Sequence, residues 1–148
     1  MNFKLPLIAA FVALTALTAC GGGDSDAAPA VPVESPATLT KPDIVVGTGA
    51  EAIAPKVVYV YYTVWLYSST APGNKGKQLE AKTSGDPFSF KLGANSVIPG
   101  FEAGIVGMKV GGKRTVLIPA AQAYGAAGFN GIPANSGLVY DIELKDVR

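Results

Sequence analysis

Residues 86–125 read DPFSFKLGANSVIPGFEAGIVGMKVGGKRTVLIPAAQAYG, and the fold class follows from this stretch. Apolar and polar side chains alternate from residue 88 to residue 92, which is typical of a β-strand. Further on, the i, i+4 spacing of Phe101 and Ile105 predicts a short helix with one apolar face. A second strand is predicted over residues 114–119. Since a helix of about two turns is not stable alone, it must pack on a sheet supplied by the rest of the chain.

Four other segments are predicted to supply that sheet. Residues 57–67, VVYVYYTVWLY, are almost wholly β-branched and aromatic and form the strongest predicted strand. Residues 138–147 alternate between apolar and polar side chains, which predicts a half-buried antiparallel strand. Shorter strands are expected at residues 44–46 and 78–81, the latter at a sheet edge. The predicted fold class is α+β: a half-open antiparallel sheet of about five strands wrapped around one short helix.

The first 19 residues have the pattern of a secretory signal peptide. Lys4 precedes an apolar run over residues 5–17 that is too short to span a bilayer. The alternative is a buried helix of a folded domain. The run LTAC, which ends at Cys20, resembles the bacterial lipobox. This resemblance implies cleavage before Cys20, acylation of that residue, and a lipid anchor on the outer membrane facing the periplasm, because no Asp follows Cys20 at the sorting position.

Cysteine and histidine usage excludes several kinds of site. Cys20 is the only cysteine, and the chain contains no histidine. A lipidated Cys20 leaves no thiol for a disulfide, a nucleophile or a zinc site. Catalytic triads that depend on histidine are excluded, and neither a metal nor a cofactor is expected.

Residues 20–42 are rich in Gly, Ala, Pro and Ser and are predicted to form a flexible linker after the lipidated cysteine. The alternative is an arm packed on the domain. Residues 43–148 then suit one domain. Eleven Lys and Arg against eight Asp and Glu give residues 41–148 a net charge of +3, too small and too scattered to indicate a nucleic-acid partner.

Two predicted loops, residues 93–100 and 120–134, are unusually apolar for loops. Next to aromatic strand residues, they predict a concave apolar pocket with few polar groups. The alternative is that their side chains only cap the hydrophobic core.

Several segments together resemble the FKBP-type peptidyl-prolyl cis–trans isomerases over residues 43–147, in family order and at family spacing. They are YTVWL (62–66), PFSFKLG (87–93), VIPGFEAG (97–104), GMKVGGKR (107–114), IPAAQAYG (118–125) and GIPANSGLVYDIEL (131–144). The resemblance implies a pocket between helix and sheet, no cofactor, and proline-containing polypeptide substrates among periplasmic, envelope or secreted proteins. It also implies macrolide immunosuppressants as inhibitors and a monomeric protein.

The resemblance assigns ten residues to the pocket: Tyr62, Glu80, Phe88, Val97, Ile98, Phe101, Tyr124, Phe129, Ile132 and Tyr140. It implies that the Ile98 N–H holds a substrate carbonyl and that Tyr124 supplies a hydroxyl donor. Residues Leu79 and Glu80 stand where the family usually has Phe-Asp, and Tyr140 stands where it usually has Phe.

The implied chemistry is rotation about an Xaa-Pro bond, whose barrier of about 18–20 kcal/mol comes from amide resonance. A dry apolar pocket with aimed hydrogen bonds stabilises the twisted amide better than the planar one. No nucleophile is needed. Two alternatives remain: a membrane-anchored module that binds proline segments or apolar ligands without turnover, and a purely structural envelope lipoprotein.

Overall fold

A computed structural model of the chain describes residues 32–148, in which six strands and one α-helix are present. The predicted signal peptide, Cys20 and the first part of the predicted linker lie outside the described residues. Within residues 32–148, no helix is long and apolar enough to cross a membrane. The elements are β1 (Asp43–Val45), β2 (Val57–Tyr67), β3 (Lys75–Lys82), β4 (Phe88–Lys91), α1 (Pro99–Ile105), β5 (Lys113–Ile118) and β6 (Leu138–Val147).

The strands form one antiparallel sheet in the order β1-β5-β6-β2-β3, and β4 pairs with β2 beside β3. The α+β prediction is confirmed, with six strands rather than about five. The edge strand β3 begins at Lys75, earlier than the predicted residue 78, because the long strand β2 continues to pair with it as far as Tyr67. The polar sequence of β3, KGKQLEAK, carries little β-strand signal.

The inner face of the sheet and the helix share one hydrophobic core. Alternate residues of the paired strands face α1, as the period of two requires: Val58, Val60 and Val64 of β2, Val116 and Ile118 of β5, and Leu138, Ile142 and Leu144 of β6. Phe101 and Ile105 of α1 fill the space opposite these strands, and both are buried. The apolar face predicted for the helix is therefore its core-facing side.

Two glycines let α1 lie unusually close to β5. A Cβ atom on Gly100 would lie 2.2 Å from Ile118 Cγ2, and one on Gly104 would lie 2.7 Å from Val116 Cγ2. The two glycines are four residues apart, so they lie on the same side of the helix. This spacing fixes both the depth and the orientation of α1 against the sheet.

A buried arginine joins the helix to β1 and β5. The side chain of Arg114 is only 8% exposed, and its Nε donates to Asp43 Oδ1 at 2.6 Å. Its Nη1 donates to the carbonyl oxygens of Gly104 at 2.8 Å and Val106 at 3.2 Å. The hydrogen bond from Arg114 also holds the pKa of the Asp43 carboxyl below its usual value. One guanidinium therefore satisfies carbonyls at the carboxyl end of the helix and fastens β1 to the domain.

The linker prediction is wrong for its last part. Residues 34–42, here called the N-terminal arm, pack on the domain and extend β1 along β5. Thr40 and Leu117 exchange backbone hydrogen bonds of 3.1 and 2.8 Å, and the Thr115 N–H donates to Pro42 O at 3.1 Å. Leu39 packs against the core. Backbone pairing with a sheet edge holds the arm, and a composition poor in large apolar residues does not reveal such pairing.

Replacing Arg114 by Met should lower the free energy of unfolding by about 2–3 kcal/mol, because methionine fills similar space but leaves the two carbonyls without a donor. Urea denaturation measures the change. The matched control is Lys113→Met, since Lys113 is the exposed neighbour on the same strand, and it should cost no more than about 0.5 kcal/mol. Equal effects of the two substitutions would contradict the role assigned to Arg114.

Candidate active site

A concave aromatic cavity of about 230 Å³ lies between α1 and the inner face of the sheet. Its walls are formed by Tyr62, Glu80, Phe88, Ser96, Val97, Ile98, Phe101, Tyr124 and Tyr140. Aromatic rings dominate this wall, so the cavity offers an apolar surface with a few polar groups.

Strand register brings the aromatic residues together. The pairs Val60↔Phe88 and Val64↔Tyr140 place both aromatic rings on the face that carries Tyr62. The Tyr62 ring meets those of Phe88 and Phe101 edge-on, with centroids 5.7 Å apart in both cases. The Phe101 and Tyr140 centroids are 4.7 Å apart. Rings held in this way form a pre-organised wall, because each one fixes its neighbours.

A hydrogen bond joins the side chains of Tyr62 and Glu80 in the cavity wall. The Tyr62 hydroxyl donates to Glu80 Oε1 at 2.9 Å, and Glu80 itself is exposed at the rim of the cavity. Pairing of Glu80 with Val64 across β3 and β2 turns its side chain toward the concave face. Burial first, and then the hydrogen bond to Glu80, raises the pKa of Tyr62 to about 12. Tyr62 therefore remains a neutral donor at neutral pH.

The other two tyrosines of the wall keep free hydroxyl groups. Within residues 32–148, neither Tyr124 nor Tyr140 makes a side-chain hydrogen bond. Burial, and then the charge of Glu80, raises the pKa of Tyr124. Burial is also the main cause of the raised pKa of Tyr140, whose ring is almost fully enclosed. Both hydroxyl groups are neutral and can donate to a ligand in the cavity.

The Ile98 N–H is a further donor at the edge of the cavity. Ile98 immediately precedes α1, and its carbonyl accepts from the N–H groups of Phe101 and Glu102. Its own N–H has no acceptor among the described residues. Pro99 begins the helix and has no N–H. The Ile98 N–H is thus left for a carbonyl oxygen of a bound molecule.

The loop between β5 and β6, residues 119–137, is here called the pocket loop. It contains two short 3₁₀ helices, Ala120–Gln122 and Gly125–Ala127. Tyr124 lies between them, and its ring stacks on Phe129 with centroids 4.9 Å apart and an interplanar angle of 12°. Phe129 and Ile132 exchange backbone hydrogen bonds of 3.1 and 2.8 Å, which close the tip of the loop.

The structure gathers eight of the ten residues assigned from the sequence around the cavity. Phe129 and Ile132 do not line it: Phe129 is 53% exposed and supports Tyr124 from outside, while Ile132 packs at the margin of the core. Ser96 lines the cavity and was not among the assigned residues. Its position directly before Val97, in an apolar loop, is the sequence signal that could have identified it.

A second cavity of about 230 Å³ lies on the other side of the sheet, where Ile44, Tyr61 and Thr63 form part of its lining. Most of its polar side chains already have a hydrogen-bond or ion-pair partner. Lys113 and Glu143 are 3.6 Å apart, and the Tyr61 hydroxyl donates to the Gly85 carbonyl at 2.6 Å. The aromatic cavity is therefore the better candidate, because it combines an apolar surface with unpaired donors.

Residues 32–148 contain no group of three or more His, Cys, Asp or Glu side chains arranged to hold a metal ion. The polar groups of the aromatic cavity are three tyrosine hydroxyls, one serine, one carboxylate and a backbone N–H. This set suits hydrogen bonding to a peptide segment rather than ligation of a cation.

Comparison with known proteins gives consistent results. Residues 49–145 match the sequence profile of the family described as FKBP-type peptidyl-prolyl cis-trans isomerase. The chain is 40% identical over 123 residues to FK506-binding protein 4 of Gibberella zeae, covering 83% of this chain and 23% of that protein. The chain spans about a quarter of the length of the curated relatives that it matches first.

Solved structures show the same likeness. FkpA from Escherichia coli is 37% identical with a TM-score of 0.64, and the match covers 78% of this chain and 51% of that chain. A peptidyl-prolyl cis-trans isomerase from Pseudomonas syringae is 34% identical with a TM-score of 0.61, and the match covers 74% of each chain.

Replacing Glu80 by Gln should lower the pKa of Tyr62 from about 12, because the substitution removes a negative charge beside the hydroxyl. The pKa should remain above that of an exposed tyrosine, since burial is the larger cause of the shift. A pH titration of tyrosine ¹³Cζ resonances measures it. Glu51→Gln, an exposed carboxylate outside the cavity, is the control and should leave the Tyr62 titration unchanged. An unchanged Tyr62 pKa in Glu80→Gln would contradict the pairing.

Proposed function

The chain belongs to the family of FKBP-type peptidyl-prolyl cis–trans isomerases, and from that membership we propose that it catalyses rotation about Xaa-Pro bonds in polypeptides. The observation that carries the proposal is the aromatic cavity with unpaired donors at its edge. Its apolar wall suits a proline ring, and its donors suit the carbonyl groups on either side of that ring.

The proposed mechanism assigns two tasks to the cavity. First, the rings of Phe101, Tyr62 and Tyr140 hold the proline in an environment with little water. A twisted amide has lost its resonance and part of its charge separation, so such surroundings favour it over the planar amide. Second, donors that meet a carbonyl oxygen best in the twisted geometry lower the barrier selectively.

The donors are the Ile98 N–H and the Tyr124 hydroxyl. Ile98 is fixed by the start of α1 and Tyr124 by the pocket loop, so the two approach a bound peptide from different elements. Tyr62 is already engaged with Glu80 and serves to hold that carboxylate at the rim. The reaction breaks no covalent bond, and each of these groups acts without changing its protonation state.

A second candidate function is capture of a proline segment or apolar ligand without turnover. It is favoured by Leu79, which packs at the margin of the core and does not line the cavity. The sequence resemblance leads us to expect an aromatic side chain there. Without it, β3 places no aromatic ring against the proline, so a segment can bind in the cavity without being twisted efficiently. The relatives named FK506-binding proteins make macrolides of that type the natural probes of binding.

We further propose that the protein works as a monomer, anchored by lipid on the periplasmic face of the outer membrane of a bacterial cell. The support for this location is the sequence alone: an apolar run over residues 5–17, followed by Cys20 in the run LTAC (17–20), with Cys20 as the only cysteine. Its substrates would then be periplasmic, envelope or secreted proteins during folding.

Tyr124→Phe should reduce kcat/KM on an Xaa-Pro peptide about tenfold. It removes one hydroxyl and almost no volume, and a hydrogen bond made mainly in the twisted state contributes about 1–2 kcal/mol. A protease-coupled isomerisation assay measures the rate. The control is Tyr59→Phe, a tyrosine beside Arg148 and outside the cavity, which should keep the wild-type rate.

A wild-type chain that binds a proline peptide but does not accelerate its isomerisation would support the binding module instead. Full activity in Tyr124→Phe, with unchanged thermal stability, would refute the role of this hydroxyl but not the isomerase activity itself.

Cys20→Ser should abolish lipid attachment when the chain is expressed in a Gram-negative host. The wild-type protein should incorporate an alkyne analogue of palmitate and sediment with membranes, because the acyl chains of one cysteine contribute about 0.8 kcal/mol per buried CH₂ group. The variant should remain unlabelled. Equal labelling of the two proteins would refute the lipoprotein assignment without touching the isomerase proposal.

A further inference from the structure

The first two residues of the N-terminal arm hold both ends of the pocket loop. The Ala120 N–H, at the start of the loop, donates to Ser35 Oγ at 2.9 Å. The Gly137 N–H, at the end of the loop, donates to Glu34 O at 2.8 Å. Neighbouring residues of the arm thus bridge two points of the loop that are 17 positions apart in the sequence.

The arm is itself fixed where it makes this bridge. The Ser69 N–H and hydroxyl, just beyond the end of β2, both donate to the Glu34 carboxylate, the hydroxyl at 3.0 Å. The hydrogen bond from the Ser69 N–H holds the pKa of the Glu34 carboxyl below its usual value. Glu34 is therefore anchored to the turn after β2 through its side chain, while its backbone carbonyl holds the loop.

Gly137, at the end of the pocket loop, packs tightly against the N-terminal arm. A Cβ atom on Gly137 would lie 2.4 Å from Pro36 Cδ and 2.8 Å from Ser35 Cα. Contacts this short leave no room for any side chain. Gly137 does not have a positive φ, so its need for glycine comes from the arm and not from the backbone conformation.

The position of Ala120 is coupled to that of Tyr124 through one short turn. Ala120 begins the 3₁₀ helix Ala120–Gln122, and its carbonyl accepts from the Ala123 N–H at 3.0 Å. Tyr124 is the next residue. Because the turn is hydrogen-bonded from its first residue, the position of Ala120 sets the direction in which Tyr124 leaves the turn.

We propose that Glu34 and Ser35 are positioning residues of the active site, which hold the pocket loop so that the Tyr124 hydroxyl points into the cavity. The proposal rests on the isomerase function proposed above. It predicts that the arm affects the rate of catalysis through the loop, although no arm residue lines the cavity.

The test compares full-length Ser35→Ala with wild type by amide hydrogen exchange. Exchange should become about three- to tenfold faster at the loop amides of Ala123, Gly128 and Asn135, since one hydrogen bond that closes the loop is lost. Exchange in β2 and β6 should not change. At a temperature where both proteins are fully folded, kcat/KM of Ser35→Ala should be several-fold below that of wild type. Ser35→Thr keeps the hydroxyl, so its loop exchange and its kcat/KM should both be close to wild type.

Two further variants complete the design. Ser84→Ala removes an exposed serine hydroxyl that has no partner within residues 32–148, and it should match wild type in both readouts. Gly137→Ala displaces the arm sterically and should speed loop exchange as Ser35→Ala does. In the double variant the two effects should be less than additive, because both break the same contact.

Each outcome of the exchange and activity measurements either supports or overturns the positioning role of the arm. Loop-specific exchange with a lower kcat/KM supports the proposal. Unchanged exchange, or exchange that speeds equally in loop and sheet, overturns it, because the arm then contributes nothing or only global stability. Faster loop exchange with unchanged kcat/KM overturns the positioning role. A wild-type chain without isomerase activity refutes the proposed function, while hydrogen exchange still shows whether the arm holds the loop.

Discussion

The close contact between α1 and β5 is the constraint on which the rest of the structure depends. A helix of seven residues has little stability of its own, so its position is set by what it packs against. Gly100 and Gly104 let its backbone approach the side chains of Ile118 and Val116. At the other end of the helix, Arg114 binds the last carbonyls from the same strand. One strand thus determines the depth, direction and end of the helix.

The geometry of the cavity follows from that contact. Because α1 is fixed against β5, Phe101 points under the ring of Tyr62, and the Ile98 N–H is left at the edge of the cavity. The opposite wall is set independently by the register of β2 with β6, β4 and β3. Two rigid elements therefore face each other across the aromatic cavity, and the pocket loop and the loop before α1 close it from the side.

The sequence predicts those parts of the structure that depend on the chemistry of individual side chains. The β-branched and aromatic run of β2, the alternation in β6 and the apolar spacing in α1 all predicted their elements, and eight of the ten assigned residues lie around the cavity. The N-terminal arm was only the alternative to the predicted flexible linker, because edge pairing uses backbone groups that every residue has. The placement of Phe129 outside the cavity was also missed. An aromatic residue in an apolar loop can stack on Tyr124 or face a ligand, and the sequence does not distinguish the two positions.

The contacts that hold the helix and those that hold the loop differ in kind. The helix is held by steric fit and a buried guanidinium, which cannot be lost without opening the core. The loop is held by the arm through hydrogen bonds near the surface, each of which contributes about 1 kcal/mol. Local opening therefore costs far less at the loop than at the helix. Of the elements around the cavity, the pocket loop is therefore the one that opens at the lowest cost, and the arm residues that bind its two ends set that cost.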